Sequence, residues 1–142
     1  MLMVRENIEG ERYHQLLELL VKHCDRFAFV ERRDMMENEE TRLAYIDDWT
    51  GDIQEDLIER EIQKRWVTTT IFGATAYVFY YHFNNRTKRF LKEQSRTLFD
   101  WVSPELPEDL MFYHQDTCML AGCSHEGYFM VDEALWNTFS SS

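Results

Sequence analysis

Residues 67–83, Val-Thr-Thr-Thr-Ile-Phe-Gly-Ala-Thr-Ala-Tyr-Val-Phe-Tyr-Tyr-His-Phe, are almost wholly small, β-branched or aromatic. Such side chains suit a pleated surface, and repeated threonines and a histidine make the run too polar to span a bilayer. Gly73 interrupts it, so the stretch reads as two strands meeting near residues 71–74 or as one strand bent there. Beyond the glycine, Ala76, Val78 and Tyr80 alternate with Tyr77, Phe79, Tyr81 and Phe83. Both sets are apolar, which predicts a central strand covered on each face.

The remaining elements follow from periodicity. Leu16, Leu17, Leu19, Leu20 and Val21 predict an amphipathic helix over residues 11–24, and the Phe27-Ala28-Phe29-Val30 run after it predicts a strand. Residues 34–48 are too charged to separate loop from helix. Ile53, Leu57, Ile58 and Ile62 recur at helical spacing among acids, predicting a short second helix. Asn84 and Asn85 supply capping chemistry for a cationic helix with Phe90, Leu91, Leu98, Trp101 and Val102 on its buried side, ended by Pro104 and Pro107. Strands at residues 110–113, 118–125 and 128–131 then predict a meander, followed by a helical turn over residues 133–139. With no repeat or linker, the expected architecture is a single α+β domain over residues 1–142, one mixed and mainly antiparallel sheet with helices packed on it.

The net charge of −11 is unevenly spread. Residues 1–62 hold 17 acidic and 8 basic side chains, residues 63–103 hold 2 and 7, and residues 104–142 hold 7 and none. A cationic middle between acidic ends predicts partial neutralisation inside the fold, with the residue left as a negative surface. That surface disfavours duplex nucleic acid, whose binding gains from lysines and arginines replacing counterions, and it suits a basic protein. The N-terminus lacks a basic stretch followed by an apolar run, and the three cysteines lack a disulfide framework, so a cytoplasmic location with reduced thiols and no membrane partner is expected.

Cys118, Cys123 and His125, with His114 nearby, are the densest group of metal-ligand types. Paired cysteines at zinc-knuckle spacing are missing, and on a regular strand Cys118 faces away from Cys123 and His125, so neither metal nor cofactor is expected. The catalytic candidates are Cys123, Ser124, His125 and Glu126. Neighbours on a strand alternate in direction, so Ser124-His125-Glu126 cannot itself be a relay, and the second glycine of a nucleophile elbow is replaced by Glu126. The carboxylates Glu37, Glu39, Glu40, Asp47, Asp48, Asp52, Glu55 and Asp56 lack the pattern of a calcium loop and read as a solvated face. Within that face Tyr45 and Trp49 beside Asp47, Asp48 and Asp52 have the composition of an aromatic anchor ringed by acids.

Trp66, Thr69 and Gly73, then Trp101, then Leu106-Pro107-Glu108-Asp109-Leu110-Met111-Phe112-Tyr113, then Ser124-His125-Glu126 form a pattern over the C-terminal half. It resembles a family of small bacterial proteins with no known activity, departing from it at Val67, where a proline is typical. The resemblance implies an α+β domain and leaves function open.

Together these features favour a non-enzymatic acidic binding protein, an inhibitor or immunity-type partner of a basic protein. The alternatives are a small hydrolase using Cys123 or Ser124 with His125, and a small-ligand pocket using Tyr77, Tyr81 and His82.

Overall fold

The computed structural model describes residues 1–142 as one seven-stranded sheet, a small hairpin and four α-helices. The strands are β1 (Leu2–Val4), β2 (Arg26–Arg32), β3 (Leu57–Gln63), the hairpin pair β4 (Arg65–Trp66) and β5 (Thr69–Thr70), β6 (Ala76–His82), β7 (Glu108–His114), β8 (Thr117–Cys123) and β9 (Tyr128–Val131). The helices are α1 (Glu11–His23), α2 (Glu39–Trp49), α3 (Asn85–Gln94) and α4 (Glu133–Ser140). The α+β class holds. Every pairing in the large sheet is antiparallel rather than mixed, in the order β1-β9-β8-β7-β2-β6-β3.

All four helices contribute to a single core on one face of the sheet. Phe27, Phe29, Tyr77, Phe79, Tyr81, Phe112, Leu120 and Phe129 meet Tyr13, Leu16, Leu17 and Leu20 of α1, Ile46 of α2, Phe90 and Leu91 of α3 and Leu135 and Phe139 of α4. The fully buried Trp101 stacks on Phe29, and its indole donates to Ser95 Oγ at 2.9 Å and Tyr13 Oη at 3.2 Å. These bonds satisfy polar atoms that would otherwise cost stability in so apolar a place.

The opposite face is covered only in part. Trp66 and Ile71 close over Ala28, Val30, Ala76, Val78, Met111 and Ala121, forming a second, smaller core. The alternation of β6 is as the sequence suggests, with Tyr77, Phe79 and Tyr81 towards the helices. β6 is an interior strand paired with β2 and β3 and packed on both faces, one place in from the edge, whereas residues 66–75 form the hairpin and its exit loop outside the large sheet.

Residues 57–63 are also strand where the apolar spacing suggests helix. Pairing along β6 satisfies one side of their backbone, and Arg60 lies over the rings of Tyr77 and Phe79. Sheet contacts outweigh the helical spacing here. Likewise α3 stops at Gln94, because Ser95 is extended, and Leu98–Asp100 is a separate short turn. The charged stretch left open resolves into α2, capped by the Asn38 side chain accepting from the Thr41 amide. Tyr77 and Tyr81 are core residues while His82 is exposed on the other face, so the proposed small-ligand trio does not share a wall.

The cationic middle is neutralised in part by the N-terminal acids, as the charge pattern suggests. Lys88 and Lys92 of α3 both reach Glu18 of α1, at 2.9 and 2.6 Å, and Arg86 bridges to Glu55 and Asp56. In α2, Arg42 grips the buried Glu31 through both carboxylate oxygens. No helix is long and apolar enough to cross a membrane.

Candidate functional site

Two places combine chemistry with access: the outer face of α2, and a polar cluster at the edge of the hairpin.

On α2, Tyr45, Asp47 and Asp48 are exposed, and Asp52 is exposed on the turn that follows. None of the three aspartates makes an ion pair. Asp47 and Asp48 stand in the last turn of α2, which has no basic side chain, so they add negative charge where the helix dipole is already negative. Trp49 differs from its expected role as a surface anchor. It turns inward against Phe29, Phe90 and Trp101, and its indole donates to Gln94 Oε1 at 2.6 Å. It fastens α2 to the core and leaves Tyr45, 49% exposed, as the aromatic of this face. Tyr45 lines an open groove of about 590 Å³ whose walls include Met35, Met36, Glu37 and Pro104.

The second place is built by a β-bulge. Ala28 pairs with Met111 but Val30 pairs with Glu108, so Asp109 and Leu110 together oppose Phe29. Asp109 takes a left-handed backbone, φ 56°, which asparagine and aspartate tolerate better than most residues. The extra residue brings Asp109 to the hairpin side, where Oδ2 accepts from the Trp66 indole at 3.0 Å and Oδ1 from the Ser124 amide at 3.1 Å. Cys123 ends β8 on the same side, with Sγ 3.9 Å from Thr69 Oγ1. The chain then leaves the strand in a short turn, Ser124–Glu126, closed by Gly127 at φ 70°. That turn carries His125 back until Nδ1 is 4.0 Å from Cys123 Sγ. Ligand-capable atoms of Asp109, Cys123 and His125 all lie within 4.8 Å of one another.

Glu108 is the neighbour of Asp109 in β7. It is 3% exposed, and its Oε2 is buried with no hydrogen-bond partner. Burial pushes the Glu108 carboxyl above the usual range, helped by the neighbouring Asp109, while His125 opposes the shift. Burial likewise pushes Asp109 up against the lowering effect of its two donors.

The sequence grouping is thus reassembled. Cys123 and His125 meet, whereas His114 is exposed at the far end of β7 and Cys118 is outside the cluster, its thiol donating to the Leu120 carbonyl. A second bulge, at Met119, puts Cys118 on the same sheet face as Cys123, unlike a regular strand. Asp109 and Glu108 were missed as site residues because the bulge reverses the alternation that a regular strand would impose. Trp66, Thr69, Asp109, Ser124 and His125 converge here.

Hydrolytic chemistry finds little support in this geometry. Burial raises the Cys123 thiol, Ser124 Oγ faces the Leu98 carbonyl at 3.5 Å, and Glu126 is exposed without a partner. Both Asp109 oxygens are engaged by Trp66 and Ser124, so no carboxylate orients His125 towards a nucleophile.

Compared with protein families, with curated proteins and with solved structures, the chain finds no match in any of the three.

Proposed function

We propose that this chain is a non-enzymatic binding protein, an inhibitor or immunity-type partner that holds a basic protein against the outer face of α2. The placement of Asp47 and Asp48 carries the reading. Two unpaired acids at the negative end of a helix oppose its stability, whereas Glu18, Glu55 and Asp56 are paired with cations of α3. A surface kept at such a cost is explained by a cationic partner that neutralises it on docking. Asp52 extends the charge, and Tyr45 with Met35 adds exposed apolar area beside it. An aromatic surrounded by acids can supply both an anchor and electrostatic steering towards lysines and arginines.

Capture from cell lysate on immobilised protein tests the reading. A partner retained at low salt and released at high salt is the expected result, because exposed charges are screened beyond about 10 Å at 0.1 M salt. Retention of nothing at low salt removes the support for it.

A further inference from the structure

The cluster under the hairpin holds three different ligand types within 4.8 Å of one another, and a buried carboxylate oxygen of the adjoining Glu108 has no partner. We infer that Asp109, Cys123 and His125 form a site for one zinc ion, with water in the fourth position and Glu108 as the acceptor of that water's hydrogen bond. This goes beyond the binding role of α2 and stands or falls separately from it.

The donor set is one carboxylate oxygen, one sulfur and one imidazole nitrogen, which together suit zinc better than the hard, oxygen-seeking calcium or magnesium. Tetrahedral zinc, with bonds of about 2.0–2.3 Å, holds adjacent ligand atoms roughly 3.3–3.8 Å apart, so closure asks for movements on the order of 1 Å or less. Support around the ligands is already in place. Trp66 and the Ser124 amide orient the Asp109 carboxylate, and Thr69 lies against the sulfur. Such supporting contacts orient the ligands of metal centres.

Access and the unpartnered oxygen point the same way. His125 is exposed while Asp109 and Cys123 are buried, so the cluster is reached from solvent on the histidine side. Glu108 adjoins Asp109 in the chain, and its buried Oε2 needs a donor that the protein does not provide. Metal-bound water is such a donor. On binding, the Cys123 thiol forms its bond to zinc and releases its proton to solvent.

The test uses the full, untagged chain, stripped with chelator and titrated with cobalt(II), which reports a thiolate ligand through a charge-transfer band in the near ultraviolet. One equivalent of cobalt giving that band, displaced by one equivalent of zinc, is expected. His125→Gln, an exposed change whose fold is checked by circular dichroism, is expected to weaken binding more than about 100-fold, beyond the 10–100-fold typical of losing a supporting contact. Cys123→Ser should abolish the band, and Cys118→Ser and His114→Gln should keep it. Absence of the band in the parent protein overturns the proposal. So does a band that survives both His125→Gln and Cys123→Ser, or one that depends on Cys118.

Discussion

The Trp66 indole and the Asp109 carboxylate, 43 residues apart in sequence, share a buried hydrogen bond of 3.0 Å that ties the hairpin to the bulged strand of the sheet. Trp66→Phe keeps an aromatic ring, though a smaller one, in the second core and removes the donor from a buried acid. The expected cost is about 1–3 kcal/mol, the range for stranding a buried polar group, read as a lower urea midpoint with an unchanged slope. Amide exchange in residues 65–70 should accelerate more than exchange in β2.

At the end of α2, neutralising a charge should help the fold. Asp47→Asn and Asp48→Asn are each expected to raise stability by about 0.3–1 kcal/mol at low ionic strength, since each removes a negative charge from the negative end of a helix. Thermal unfolding at low and high salt checks this, and the gain should shrink as salt rises. The same changes should weaken retention of a basic partner, so stability and binding move in opposite directions.

Acid sensitivity has one identifiable source in Glu18. Hydrogen bonds from Lys92 and Lys88 hold its carboxyl down at about 2, from an ordinary value of 4.5. A lowered carboxylate stabilises the fold above its unfolded value and loses that contribution as pH falls from about 4.5 towards 2. Glu18 is partly exposed, so solvent screening limits the effect to about 1 kcal/mol or less. Glu18→Gln should therefore be less stable than the parent at pH 7 and converge with it near pH 2, as measured by denaturant titration across that window.

Two thiols should be inert in the folded chain. Burial raises Cys24 to about 12 and Cys118 to about 11, so at pH 8 neither is appreciably ionised. Iodoacetamide is expected to leave both unlabelled in native protein and to label both in denaturant, with mass spectrometry as the readout. Fast native labelling at Cys118 would mean that β8 opens at its outer end.

Much of the fold is legible in the sequence where one kind of local signal is strong. The leucines of α1, the alternation from Ala76 onward, the Asn84 cap and the turn at Gly127 all express local preferences that the tertiary structure keeps. What escapes is decided at a distance. Ile53, Leu57, Ile58 and Ile62 fit a helix by spacing, but β6 offers residues 57–63 a backbone to pair with. The candidate sites divide in the same way. Tyr45 and the acids around it are exposed as their composition suggests, whereas Trp49 is drawn inward by three aromatic rings. Asp109 reaches Cys123 and His125 only because one extra residue in β7 turns it towards the hairpin, and a lone sequence carries no mark of that bulge.

The most direct test of the binding role is a side-by-side capture with the parent chain and the triple variant Asp47→Lys, Asp48→Lys, Asp52→Lys, both verified as folded by circular dichroism. The expected result is a basic protein retained at low salt by the parent and lost by the variant. Equal retention of that protein by both would contradict the assignment of the α2 face as the docking surface.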